Sequence, residues 1–497
     1  MKTSLRPLWL TFLLIIAYTP VGHAEATPSL KLAGIFADNM VLQQKTDAAI
    51  WGKAEAGQSV SIKPSWGGKS IKTKADDEGK WKTSIQTPPA GGPFQIRVEC
   101  GKEKIELKNV LSGEVWICSG QSNMQWKLRG FGKEQFKEDV ENAKYPEIRL
   151  CDIPQALALE EQDDVKSSWK ACNPNTVFNF SAVAYFFGSR IHQELDVPIG
   201  LISTNWGGSK AEAWVSAETL TEEFPEFDKV MDEYPQIAEE HGVVHPRAPK
   251  FPEGLNMRSP TVLYNSMIKP LVPFAFRGVV WYQGESNVTA PVQYRTLFPA
   301  LIKNWRDEWN IGEFPFYFVQ IAPFEYKREP IPVAFLREAQ LMTLTVPNTG
   351  MAVTMDVGEA DNIHPRDKKP VGERLALLAL ARSYEQEDLV DSGPLYDDFR
   401  VVGKEIYLKF TDTGSGLATR DDEALTHFTI AGKDKEFAPA EAVIKGDMII
   451  VSSKDVKKPV AVRFGWGNAD APNLMNKEGL PASSFRTDDW PIKKPEG

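Results

Sequence analysis

The chain has 497 residues, 42% of them hydrophobic and 25% charged, with a net charge of −10. That length suits about three domains, and the composition is ordinary for a water-soluble globular protein. The charge is spread without long blocks and Lys and Arg do not cluster, which argues against nucleic acid and anionic membranes as partners.

At the N-terminus, Lys2 and Arg6 precede the apolar run Leu8 to Tyr18, followed by Pro20-Val21-Gly22-His23-Ala24. The run is shorter than the roughly 20 apolar residues a membrane-spanning helix needs. A positive start, an apolar stretch and small residues at Gly22 and Ala24 predict a signal peptide over residues 1–24, cut after Ala24. The mature protein is then secreted or periplasmic. Four cysteines follow, Cys100, Cys118, Cys151 and Cys172. An oxidising compartment permits disulfides, with Cys151–Cys172 the favoured pair and Cys118 as readily a buried free thiol. Their spacing matches no zinc pattern.

Residues 28–110 read as all-β. Alternating runs such as Ser59-Val60-Ser61-Ile62 and Phe94 to Val98 are separated by Gly, Pro and Asp turns, which suits a β-sandwich. The texture changes over 111–392. Buried strands are expected at Val115–Cys118, Val197–Ile202, Gly278–Tyr282, Phe314–Ile321 and Met351–Met355. Helices are expected at Ala182–Leu195, a solvated stretch from Glu218 to His241, Asn265–Leu271, Tyr294–Trp309, Pro332–Thr345 and Pro370–Tyr384. Strands alternating with helices predict an α/β domain with a parallel sheet flanked by helices. Residues 393–490 return to β texture.

Ligands of open α/β sheets bind at the carboxyl ends of the strands, and three chemistry-bearing segments fall there. Ser119-Gly120-Gln121-Ser122-Asn123 presents Ser122 on a tight turn, as a nucleophile or as a helix cap. Asp361-Asn362-Ile363-His364-Pro365 places His364, the best general-base candidate among six histidines, three residues after a carboxylate that can orient it. Asn205-Trp206-Gly207-Gly208 and Trp281-Tyr282-Gln283-Gly284-Glu285-Ser286-Asn287 offer glycine amides and side-chain amides for an oxyanion. Glu285 could bind a sugar hydroxyl or pair with a neighbouring Arg or Trp. Fourteen Trp and 26 Phe could stack on sugars or simply fill cores.

Together these blocks resemble the sialate O-acetylesterases, within the SGNH-type carbohydrate acetylesterases. The matching stretches are Gly113 to Met124, Asn205 to Ser209 with Glu212-Ala213-Trp214, Trp281 to Asn287, and Asp361 to Pro365. Ala37 to Gln43 resembles the family's N-terminal β domain, and Asn476 to Asp488 its C-terminal signature. The resemblance implies an SGNH-hydrolase-like fold and a serine esterase acting on acetylated carbohydrate. It implies Ser122 as nucleophile, His364 as base and Asp361 as its orienting acid, with no cofactor and no metal. The oxyanion would be held by the Ser122 N–H, a backbone N–H at Gly207 or Gly208, and a side-chain amide. The wider group carries an Asn where this chain has Ser286, so Gln283 is the first substitute and Asn287 the second. Sialic acid is the first substrate expected and acetylated xylan or another polysaccharide the second, with Arg129, Arg258 or Arg366 able to meet a carboxylate. A catalytically inactive carbohydrate-binding protein and a peptidase or lipase are the readings from other classes. The missing Gly-x-Ser-x-Gly elbow speaks against a lipase. The oligomeric state is left open.

Overall fold

The computed structural model describes residues 30–132, 134–241, 254–326 and 332–492. The expected leader, residues 1–24, lies outside the described residues, as do His245 and part of the Pro-rich 246–260 loop.

The N-terminal region is the β-sandwich expected. One sheet joins Lys31–Leu32, Asp47–Lys53 and Lys80–Gln86. The other joins Ile71–Lys74, Ser59–Pro64 and Gly91–Cys100 to the first half of an 18-residue strand, Glu103–Gly120. Alternate residues face inward, so Ala48, Ile50, Val60 and Ile62 meet in one core while their neighbours meet water. The second half of Glu103–Gly120 runs on into the central sheet. The boundary expected between residues 110 and 111 therefore falls inside one continuous strand.

The central sheet runs in the order Trp169–Ala171, Ile148–Asp152, Ile199–Asn205, Glu103–Gly120, Gly278–Tyr282, Phe316–Val319, Thr349–Ala352. Neighbours are parallel except the first pair. Side chains sort the two faces by alternation. Trp116 and Cys118 point to the helices Ala182–Leu195 and Lys369–Ser383, and Trp116 meets Phe187 edge-on at 5.0 Å. Val115 and Ile117 point to the opposite face, where the helices Pro291–Trp309 and Ala334–Met342 pack and Trp281 meets Trp305 at 5.9 Å. Burial on both faces is what makes these strands continuous apolar runs. On one side of Glu103–Gly120 the chain lays down Ile148–Asp152 and Trp169–Ala171 before Ile199–Asn205 fills the place beside it, and it then crosses to Gly278–Tyr282 on the other side, so the order reverses at Glu103–Gly120. Sheets of this kind bind ligands in the crevice at such a reversal, which here falls between the strand ends at Asn205 and Tyr282.

Several expectations need correction. The strands Ile148–Asp152 and Trp169–Ala171 were not foreseen. The stretch from Glu218 to His241 is three short helices, Ala217–Glu223, Asp228–Met231 and Tyr234–His241, with Pro225 between the first two. Asn265–Leu271 is a wide turn over Tyr264–Ile268 followed by a tight one over Lys269–Leu271, where Pro270 has no N–H to continue a regular helix. All four cysteines are free and buried. Cys151 and Cys172 cannot pair as expected, because they belong to the cores on opposite faces of the sheet.

The C-terminal β region has its own core, built from Ile406, Leu408, Ile430, Ile449, Val462 and Phe464 with their neighbours. Its last strand returns to the catalytic domain. Arg337, fully buried, donates to the carbonyls of Gly465 (2.9 Å) and Gly467 (2.8 Å) and to Ser484 Oγ (3.2 Å). Arg486 pairs with Glu338 at 2.6 Å, and Gln320 Nε2 donates to Ser483 Oγ at 2.8 Å.

Candidate active site

Glu103–Gly120 ends at a glycine with φ of +135°, and the short helix Ser122–Gln125 begins two residues later. Gly120 lies against Tyr282 on one side and Asn205 on the other. A side chain here would meet the Tyr282 carbonyl oxygen at 2.2 Å, so only glycine lets the strand turn at this point. Ser122 is half-buried at the start of the helix, whose Met124 and Gln125 N–H groups donate to the Gln121 carbonyl at 3.0 and 2.9 Å.

Gly207 sits directly over Ser122. A methyl group on Gly207 would stand 3.2 Å from Ser122 Cβ. The Gly207 N–H donates to Gln125 Oε1 at 2.6 Å, so a side-chain carbonyl oxygen occupies the position beside the serine that this amide addresses. Gly208 adopts φ of +77°, and its carbonyl accepts from Arg258 Nε at 3.1 Å. An otherwise exposed guanidinium is thereby held at the rim of the crevice.

His364 approaches from the loop after Thr349–Ala352. Its ring lies 5.0 Å from the Trp126 ring, centroid to centroid, one residue beyond the serine's helix. Asn123 Nδ2 donates to the Ile363 carbonyl at 3.1 Å, tying the residue after Ser122 to the residue before His364. The ring is half-buried. Burial first, and then the positive charge of Lys368, hold its pKa below the usual imidazole value. His364 is therefore neutral, and able to accept a proton, at neutral pH.

Asp361 is exposed and makes no hydrogen bond to the His364 ring. The loop is instead shaped by its neighbours. Asn362 Oδ1 accepts from the His364 N–H at 3.0 Å, and Glu359 is engaged by Arg366 at 2.7 Å. Arg366 is thus committed to a carboxylate of its own segment. Arg129 donates to Asn179 at 3.2 Å.

The side-chain amides expected at the oxyanion are engaged with neighbouring groups. Gln283 is completely buried. Its Nε2 donates to Asn287 Oδ1 (2.7 Å) and the Ser209 carbonyl (3.3 Å), and its Oε1 accepts from Tyr294 (3.0 Å). Asn287 Nδ2 donates to Glu212 at 2.9 Å, while its Oδ1 also accepts from the Ala211 N–H at 3.0 Å. These amides brace the loops behind the crevice. Glu285 is buried too, and accepts from Asn123 Nδ2 rather than facing the crevice. Burial raises its pKa above the usual carboxylate value, against the pull of Asn123 and Lys368.

Two residues here escaped the sequence reading. Gln125 lies one residue past the Gly113 to Met124 block and had no assigned part. Lys368 is 1% exposed, donates to Asn123 Oδ1, and stands 5.6 Å from the centroid of the Tyr282 ring. Burial draws its pKa down to about 7, opposed by Glu285, Glu359 and Asp367.

Known proteins align over these elements. A family model described as "Carbohydrate esterase, sialic acid-specific acetylesterase" matches residues 112–244 and 252–381. Sialate O-acetylesterase of Homo sapiens is 31% identical over 499 residues, covering 92% of each chain. That of Rattus norvegicus is 32% identical over 521 residues, covering 93% of this chain and 94% of the relative. A carbohydrate acetylesterase from Xanthomonas citri, of known structure, superposes with a TM-score of 0.82 at 37% identity, covering 93% of this chain and 100% of that one. The chain belongs to the carbohydrate esterase family of sialic acid-specific acetylesterases, and is a carboxylic ester hydrolase.

Proposed function

We propose that the protein is a secreted serine esterase that removes O-acetyl groups from carbohydrates, with acetylated sialic acids as its first substrates. Ser122 is the nucleophile, His364 the general base and Asp361 its orienting acid. The observation that carries this reading is the junction of two distant segments. The Asn123 amide meets the Ile363 carbonyl at 3.1 Å and the Trp126 and His364 rings lie 5.0 Å apart, so the serine turn and the histidine loop share one crevice.

Ser122 Oγ attacks the acetyl carbonyl carbon as His364 takes the hydroxyl proton. The oxyanion that forms accepts from the Ser122 and Gly207 N–H groups. Gln125 Oε1, which holds the Gly207 N–H when no substrate is bound, swings aside to admit it. Collapse expels the sugar alkoxide, which takes the proton from the imidazolium. Water, deprotonated by His364, then attacks the acetyl-serine; the Oγ–acyl bond breaks, Ser122 Oγ takes the proton back from the imidazolium, and the acetic acid formed leaves as acetate. Asp361 turns toward the imidazolium as charge develops, since catalytic hydrogen bonds that are open in a free enzyme often close only with substrate. Arg258, fixed beside Gly208, supplies a cation for a sialic acid carboxylate.

Hydrolysis of 4-nitrophenyl acetate by the wild type and by Ser122→Ala tests the chemistry. The wild type should turn over and the variant should fall by at least about a thousandfold. Equal background rates from both would overturn it. N-terminal sequencing of the exported protein tests the leader, which predicts a mature chain starting at Glu25.

A further inference from the structure

Asn123 makes contacts that no step of this reaction uses. Its side-chain amide has three partners, two of them buried side chains and the third a part-buried main-chain carbonyl. Lys368 Nζ donates to Oδ1, while Nδ2 donates to Glu285 Oε1 and to the Ile363 carbonyl. Lys368 and Glu285 are 1% and 7% exposed, so neither is a surface charge passing by. Turning the amide by half a rotation would set its NH2 against an ammonium, and its oxygen against a carboxylate and a carbonyl. All three hydrogen bonds would be lost, and polar groups left unpaired in a buried site are costly. One orientation is therefore strongly selected, and it directs an N–H at the backbone of the residue preceding His364.

We propose that the Asn123 amide is a positioning strut that sets the spacing of Ser122 and His364, with Lys368 and Glu285 as the clamps that orient it. The strut joins the residue after the nucleophile to the residue before the base, so a shift at either end moves one reacting group against the other. It also supplies what the exposed Asp361 does not, a fixed anchor for the His364 backbone in the free enzyme. Glu285 Oε1 is held against Asn123 Nδ2, and its Oε2 has no hydrogen-bond partner. The groups near Lys368 are Glu285 and the Tyr282 ring from other segments, and Glu359, His364 and Asp367 from its own.

The inference rests on Ser122 and His364 being the reacting pair, and its test separates the two. Steady-state kinetics on 4-nitrophenyl acetate are measured for Ser122→Ala, Asn123→Leu, Lys368→Met and the Asn123→Leu/Lys368→Met double variant, with thermal melting of each. A misplacement of this kind costs about tenfold to a hundredfold in kcat. Each of the two strut variants should lose that much with KM within about twofold, and the double variant should be no worse than the weaker single, because both break one device. Lys368→Gln, which keeps a donor for Oδ1 without a charge and is gentler on folding, should retain more kcat than Lys368→Met. The strut is refuted if Asn123→Leu turns over like the wild type, if the losses fall in KM, or if they multiply in the double variant. Activity surviving in Ser122→Ala would instead remove the pair on which the strut depends.

Discussion

Gly120→Ala is the sharpest perturbation of the turn that delivers Ser122. A Cβ at this position would lie 2.2 Å from the Tyr282 carbonyl oxygen, 2.7 Å from its carbon and 2.9 Å from its nitrogen. All three are main-chain atoms of the neighbouring strand, so no side chain can rotate away to make room. The φ of +135° adds a backbone penalty of about 1–2 kcal/mol for a residue with a side chain. Overpacking against fixed atoms adds about 1–3 kcal/mol. The total, about 2–5 kcal/mol, should appear as a lower midpoint in urea unfolding with an unchanged slope. Gly208→Ala is the matched control. Its φ is +77° but nothing lies within 4 Å of the added methyl, so only the backbone penalty applies. kcat should fall in Gly120→Ala as well, because relief of the clash must move the Gly278–Tyr282 strand or the serine turn. If Gly120→Ala unfolds at the same urea concentration as Gly208→Ala, the close approach at the strand end is not what demands glycine.

The activity profile should rise with pH, with its acid-side midpoint in kcat/KM below about 6.5, because burial and Lys368 hold His364 below its usual value and only neutral imidazole accepts a proton. The stability sign follows from the same shift. The folded state resists protonating His364, so this contribution is complete above about pH 6.5 and declines as pH falls below it; a midpoint above 7 in the kinetic profile would contradict the environment described. Arg258→Ala should raise KM for acetylated sialic acid about tenfold, the worth of one charge-assisted hydrogen bond, and leave acetylated xylo-oligosaccharides unchanged. An equal effect on both sugars would remove Arg258 from carboxylate recognition. Arg337→Met strips partners from Gly465, Gly467 and Ser484 and should destabilise by about 3–5 kcal/mol, with early proteolysis of the C-terminal β region. Retention of a wild-type melting temperature would show that the junction is held by other contacts.

The architecture was legible where burial imposes a plain pattern. Ala182–Leu195 and Gly278–Tyr282 fall on the residues expected, the first from helical spacing and the second from a fully buried run. Ile148–Asp152 was not, because Arg149 interrupts its apolar run. That guanidinium leaves the sheet to donate to the carbonyls of Pro146 and Asn39, which nothing local announces. The same divide holds in the site. Ser122 and His364 stand in short blocks that the sequence singles out, and the fold brings those blocks together. The engagement of Gln283 and Asn287 depends on Tyr294, Ser209, Ala211 and Glu212, contacts that only the folded chain brings together. Lys368, followed by Lys369 and Pro370, reads as a solvated helix start, yet packing buries the first lysine and leaves the second partly exposed.

Acetate release across a panel of O-acetylated sialic acids and acetylated xylo-oligosaccharides, with Ser122→Ala in parallel, tests the central claim most directly. The account predicts rapid deacetylation of sialic acids by the wild type, slower turnover of the xylo-oligosaccharides, and no release from either by Ser122→Ala. Acetate released by Ser122→Ala at the wild-type rate, or none released from any sugar by the wild type, would contradict it.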